Sequence, residues 1–287
     1  MARTADGSNS LPLLGAAVTL DELTEVAGLK NFIFDRDRDI EIRDLAVLGT
    51  LSDDLLGTIT VRAPQLLNGH NGRVGIHGPY EGLEIDTPDP DIQKIVQVRF
   101  DAALDALIAI SGERGGGHMV LHSPYSTWHW HNRGTKLDDS AGILERTHKT
   151  LMPLVQKAED HGITLVLENC QDKDPAERVA LAASFDSEAV KVSLDTGHAH
   201  YAHGTTAAPP VDVFVRAAGA ALVHMHLQDA DGFGDRHWAI GRGTIRWHAV
   251  FEALEELPTM PRLIFELADA REILGSARWL ADAGLAE

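Results

Sequence analysis

The sequence of 287 residues holds a single cysteine, Cys170. One thiol forms no internal disulfide, so a reducing compartment, the cytoplasm, is the expected location. Beside Glu168, Cys170 reads as a small buried hydrophobe. No apolar run approaches the roughly 18 residues that a membrane helix needs, so no membrane partner is expected. Leu11 to Leu20 has only Arg3 as positive charge ahead of it and reads as a first strand rather than a secretory core. Basic residues are scarce: 25 Lys and Arg stand against 43 Asp and Glu, a formal net charge of −18. Such a chain repels polyanions, and it holds no Lys/Arg-rich segment placed to follow a phosphate backbone, which argues against nucleic acid as a partner. An internal repeat, a low-complexity tract and a dividing linker are also missing. A single domain over residues 1–287 is the expectation, with the polar stretch 1–10 frayed.

What is present points to an α/β fold. Hydrophobic residues make up 44% of the chain, and one (β/α)₈ TIM barrel of about 250 residues fits the length. Apolar strand-like runs alternate with amphipathic helical stretches, the pattern of a parallel sheet. The runs are Leu14–Val18, Asn31–Phe34, Val74–His77, Met119–His122, Thr164–Glu168, Lys191–Asp195, Leu222–Leu227 and Leu263–Glu266. Between them, Ile92 to Ile110 repeats apolar residues at helical spacing (Ile92, Ile95, Val96, Phe100, Leu104, Leu107), and Ser140 to Asp160 does so with Ile143, Leu144, Leu151, Leu154 and Val155. Asp174 and Pro175 read as an N-cap and a first helical turn, and Gly115–Gly117 as a helix stop and tight turn. The charge-dense stretch from Asp35 to Asp44 reads as irregular.

Fifteen histidines are many for this length, and imidazole is the commonest metal-ligating side chain. Their placement is ordered. Six successive strands finish in an imidazole or a carboxylate: His77, His122, Glu168, Asp195 with His198 three residues on, His226, and Glu266. The C-terminal ends of the strands form the active-site face of such a barrel. Glu168, Asp195 and Glu266 converging on one rim would repel one another, and burying each costs several kcal/mol unless a cation or partner offsets it. A divalent metal removes the conflict. His224 and His226, two apart, share one face of their strand; His226, nearer the end, is the better ligand, and His224 lies a layer deeper. Asp235 and His237 either join a metal or substrate site or belong to a solvated loop, with Gly241 and Gly243 turning that loop. The cluster Trp128–His131 is either a lid that stacks on a sugar ring or a subunit contact.

These residues resemble the xylose isomerase-like barrel superfamily of sugar isomerases, ketose 3-epimerases, inosose dehydratases and endonuclease IV relatives. The likeness runs from about Val74 to Glu266. It is carried by Glu168-Asn, Asp195-Thr-Gly-His198, His224-Met-His226-Leu-Gln-Asp229, Asp235-Arg-His237, Gly241-Arg-Gly-Thr-Ile-Arg-Trp247 and Glu266. In the epimerase-like branch the resemblance implies one divalent metal on Glu168, Asp195, His226 and Glu266, with the two glutamates as acid and base. In the endonuclease IV branch it implies three zinc ions on those four together with His77, His122, His198, Asp235 and His237, acting on abasic DNA.

The oxygen-rich set suits Mn²⁺, Mg²⁺ or Co²⁺, with Zn²⁺ also admitted. The expected chemistry is proton abstraction beside the carbonyl of a small sugar or polyol-derived substrate, through a metal-stabilised enediolate that serves isomerisation, epimerisation or dehydration. His77, His122 and His198 are expected to bind substrate hydroxyls, and Arg236 to orient the substrate. Two glutamates kept as a proton-transfer pair argue against a barrel that only binds. Homo-oligomers are common among such barrels, an expectation by analogy alone.

Overall fold

Short apolar runs separated by helices cannot pair as hairpins, and parallel pairing needs a crossover between successive strands. In the computed structural model, which describes residues 11–112 and 116–287, eight parallel strands close into a barrel in sequence order. They are β1 (Leu14–Val18), β2 (Ile40–Ile42), β3 (Val74–His77), β4 (His118–His122), β5 (Thr164–Glu168), β6 (Val190–Asp195), β7 (Leu222–Leu227) and β8 (Arg262–Phe265). Around them lie α1 (Leu20–Glu25), α2 (Leu29–Phe34), α3 (Asp53–Leu66), α4 (Pro90–Ser111), α5 (Thr127–Asn132), α6 (Ser140–Asp160), α7 (Pro175–Ala183), α8 (Thr196–Thr206), α9 (Val211–Ala218), α10 (Trp247–Glu255) and α11 (Ile273–Asp282). This is the (β/α)₈ TIM barrel, folded as one domain. No described helix is long and apolar enough to cross a membrane. Residues 1–10 and part of the 115–117 glycine run lie outside the described residues.

Local chemistry sets the helix starts. Thr19 and Glu22 form a reciprocal capping box at α1. Asp89 caps α4 with Pro90 in the first turn, and Asp174 caps α7 ahead of Pro175. Along α4, Val96, Phe100, Leu104 and Leu107 face the barrel, each such side chain contributing about 2 kcal/mol by leaving water. Ile92, Ile95 and Leu144 share the apolar spacing but lie off the buried stripe and face solvent.

The second strand differs from the sequence reading. Asn31–Phe34 belongs to α2, where Leu29 and Ile33, one helical turn apart, turn inward. The strand is Ile40–Ile42, inside the stretch whose charge density reads as irregular. Its central residue, Glu41, is buried inside the barrel, so this charge does not mark a solvated segment. β4, β6 and β8 each begin one residue earlier than their apolar runs, and β8 ends at Phe265, leaving Glu266 just beyond it.

Candidate metal centre

Strand register delivers the rim residues as a set. His122 on β4 pairs with Glu168 on β5, and Asp195 on β6 pairs with His226 on β7. Glu168, Asp195, His226 and Glu266 are all buried, and one ligand-type atom from each lies within 4.8 Å of the others. His226 Nδ1 is hydrogen-bonded to Glu168 Oε1 and lies 3.3 Å from Glu266 Oε2, while Nε2–H donates to Glu41 Oε1 at 3.0 Å. Glu168 Oε2 is buried and makes no hydrogen bond among the described residues. It faces His122 Nε2 at 3.4 Å and His77 Nε2 at 3.8 Å. His77 Nδ1 is engaged by the Gly78 carbonyl at 2.8 Å, so its Nε2 is the atom turned to the carboxylates.

A frame of neutral groups holds these carboxylates. Asn169 bonds both backbone groups of Asp195, at 2.8 and 3.0 Å. Asp195 also caps α8, accepting His198 N–H at 2.6 Å. The Gln228 amide donates to Asp195 at 3.2 and 3.3 Å and to Asp235 at 3.1 Å, and its oxygen accepts His237 N–H at 2.7 Å. Gly197 makes room for it: a Cβ there would lie 2.3 Å from the Gln228 amide. His198, Asp235 and His237 form a second trio, with Asp235 3.3 Å from His198 Nε2 and 3.0 Å from His237 Nε2. His237 sits at φ +48, a left-handed conformation unusual for its type. It is pinned through its N–H to Gln228, through its carbonyl by Ala268 N–H at 2.8 Å, and through Nδ1 to the Glu266 carbonyl at 3.0 Å.

The three carboxylates sit in unlike electrostatic surroundings. Burial, aided by Glu168 and Glu266 and opposed by His198, pushes Asp195 up to about 6. Burial also acts to raise Glu168 and Glu266, but His226 leads the imidazoles that hold both below the usual carboxylate range. Burial pushes His122 down to about 4. It works against His237 as well, yet Asp235, Glu266 and Asp195 raise that ring to about 9. Three buried carboxylates, one orphaned carboxylate oxygen and an imidazole nitrogen among them fit a hard divalent cation.

The match to the xylose isomerase-like TIM barrel model covers residues 52–283. The chain belongs to that family. Among relatives of this xylose isomerase-like barrel, an uncharacterised protein of Methanocaldococcus jannaschii is 25% identical over 201 residues, 67% of this chain and 64% of the relative. A D-psicose 3-epimerase of Ruminiclostridium cellulolyticum is 29% identical over 196 residues, 66% of this chain and 61% of the relative. The matches therefore span less than two thirds of these relatives' lengths. The solved structure of a D-tagatose 3-epimerase-like protein superposes with a TM-score of 0.70 at 22% identity, covering 94% of this chain and 96% of that one.

Of the residues singled out by sequence, the fold gathers Glu168, Asp195, His226 and Glu266 into one cluster, sets His77 and His122 against Glu168, and sets His198, Asp235 and His237 beside Asp195. Arg236 lies apart, its guanidinium on Asp231 at 3.1 Å. Trp128 projects into solvent, and Trp130 is flanked by Arg133 and Lys173. His224 lies a layer deeper, as expected, bonded through Nδ1 to Ser193 at 2.8 Å. The sequence reading gave no role to Gln228, which stands inside one of its motifs, nor to Glu41, His118 and Arg262. Gln228 carried a signal, since it continues the inward parity of His224 and His226. Glu41 carried only a weak one, a lone carboxylate between two isoleucines.

Proposed function

We propose that this chain is a divalent-metal-dependent epimerase or isomerase of a small sugar or polyol-derived substrate. The observation that carries the reading is the buried four-residue cluster with its unpartnered Glu168 oxygen. The D-psicose 3-epimerase among the relatives supports the substrate class. Glu168, Asp195, His226 and Glu266 would hold one ion, with Mn²⁺, Mg²⁺ or Co²⁺ best suited to a set rich in carboxylate oxygens and Zn²⁺ also admitted. Bound there, the ion supplies Lewis-acid charge to the adjacent carbonyl and hydroxyl oxygens of a substrate.

The proton work falls to the two glutamates. One takes the proton from the carbon beside the carbonyl; the other returns a proton to the opposite face for epimerisation or to the neighbouring carbon for isomerisation. Loss of a hydroxyl after the same first step would make the enzyme a dehydratase. In this reading His77 and His122, whose Nε2 atoms face the carboxylates, bind substrate hydroxyls, as does His198 beside Asp195; those distances support the roles. Arg236 would have to leave Asp231 to orient a substrate.

Glu266→Gln removes one member of the proton pair with little change of shape. Turnover of a ketose such as D-psicose or D-tagatose should fall by about 10²- to 10⁴-fold. Intact turnover would sink the acid–base assignment.

One observation favours a second reading, a zinc-dependent phosphodiesterase on abasic DNA. The trios His77–His122–Glu168 and His198–Asp235–His237 flank the central four and could hold two more ions. The net charge of −18 opposes it, because a duplex brings its own negative charge. Metal content decides: one tightly held ion per chain supports the sugar enzyme, and three zinc ions support the nuclease.

A further inference from the structure

Beneath the rim cluster the barrel interior is polar, which is unusual for a layer normally filled with aliphatic side chains. Glu41 is buried at its centre, touching three imidazoles from two strands. The directions of its hydrogen bonds follow from Arg262. A guanidinium only donates. Arg262 donates to His118 Nδ1 and to the Gly116 carbonyl, so His118 Nδ1 must be an acceptor. Burial, then His224 and the nearby Arg262, keep the His118 ring neutral. A neutral ring that accepts at Nδ1 carries its proton on Nε2, and that N–H donates to Glu41 Oε2 at 2.8 Å. The other Glu41 oxygen accepts His226 Nε2–H at 3.0 Å.

We infer that Arg262, His118 and Glu41 form a hydrogen-bond chain of fixed direction that holds a proton on His226 Nε2, so that Nδ1, whose N–H is given to Glu168 in the metal-free protein, is the nitrogen that exchanges its proton for the cation. They are positioning residues, and the inference rests on the metal-centre reading above. Ligating imidazoles depend on such a partner for ring orientation and tautomer.

The backbone is built to let this chain form. Glu41 on β2 pairs with Gly75 on β3, and Gly75 pairs with His118 on β4. Any side chain at position 75 would stand between them: a Cβ there would lie 2.0 Å from His118 Cε1 and 2.3 Å from both ring nitrogens. The glycine lets a carboxylate and an imidazole two strands apart meet across the gap. Glu41, His118 and His224 also bring ligand-type atoms within 4.8 Å of one another. A cation there would need the His118 Nε2 lone pair, which would put a proton on Nδ1 against the Arg262 donor. The arrangement therefore favours a relay of hydrogen bonds over a second ion.

The test uses the full chain stripped with a chelator and titrated with Zn²⁺ against a chromophoric competitor. Nitrogen-15 spectra of the zinc-loaded protein then read the His226 tautomer. Wild type should show His226 protonated at Nε2. Glu41→Gln offers one acceptor oxygen for two imidazole N–H groups, so zinc affinity should fall about 10- to 100-fold although no ligand has changed. Gly75→Ala should weaken zinc similarly by displacing the His118 ring. Where that collision impairs folding, the double change Gly75→Ala, His118→Ala removes it and should still bind zinc weakly. Undiminished affinity in Glu41→Gln, or a Nδ1 proton on zinc-bound His226, overturns the inference while leaving the metal centre standing. So does a second zinc equivalent that Glu41→Gln abolishes, since Glu41 would then be a ligand. A wild-type protein that takes up no ion overturns both readings.

Discussion

His118 is buried against Glu41, His224 and Arg262, and burial, foremost, holds its imidazole well below the ordinary histidine value of 6.5. Folded protein thus keeps the ring neutral where unfolded chain takes up a proton. Protonation favours unfolding, so this contribution is present above about pH 6.5 and is lost as pH falls below it toward the depressed folded value. Stability to urea should decline between pH 6.5 and 5.5 by up to about 1 kcal/mol more in wild type than in His118→Gln, which has nothing to titrate there. Equal slopes would mean that the ring is not held neutral. The residues of the rim were legible in the sequence because each closes a short apolar run, where a carboxylate or imidazole stands out. Glu41 was not. It occupies a three-residue strand among other charges, and its role depends on Gly75, a residue whose contribution is the side chain it lacks.

Among the elements, the segment following β7 organises the far side of the cluster. Buried Asp229 accepts from the backbone N–H of Ala230 and Gly241 at 2.9 Å, from that of Ile245 at 3.3 Å, and from Trp247 Nε1 at 3.1 Å. Gly241 turns at φ +86, and a Cβ on Gly243 would strike the Ala230 carbonyl at 2.2 Å, so both glycines serve the tight return that sequence spacing indicated. Asp229→Ala would leave several donors without their acceptor, at about 1–3 kcal/mol for each one left buried and unsatisfied. A loss of at least about 2 kcal/mol in chemical unfolding is expected, with faster amide exchange across residues 230–246; unchanged exchange would show that the loop is held by other contacts. Zinc affinity should drop less than in a ligand variant, because Asp235 and His237 ride on this loop while the central four do not. Element assignment from sequence succeeded where period and length agreed, as in Ser140–Asp160, whose bounds match α6. It failed at Asn31–Phe34, since the three apolar residues Phe32–Phe34 fit a strand and a single helical turn equally well.

At the scale of the whole molecule, a chain with a formal charge of −18 buries three carboxylates within one cluster. Self-repulsion of that kind opposes the compact state, and a divalent ion bound only by the folded form opposes unfolding by mass action. Free metal at 100 times its dissociation constant contributes about 2.7 kcal/mol, which for a chain of this size raises the melting midpoint by several degrees. Mn²⁺ added to chelator-treated protein should therefore shift the thermal transition upward and saturably. Raising the salt concentration without a divalent ion should not reproduce the shift, because monovalent ions screen exposed charges far better than buried ones. Asp195→Asn removes the one converging charge that burial pushes up, so it should lose most of the Mn²⁺ increment without a comparable fall in the metal-free midpoint. A wild-type midpoint that ignores Mn²⁺, Co²⁺ and Zn²⁺ alike would mean that the four side chains are satisfied by one another, and the barrel would then need another explanation for three acids on one rim.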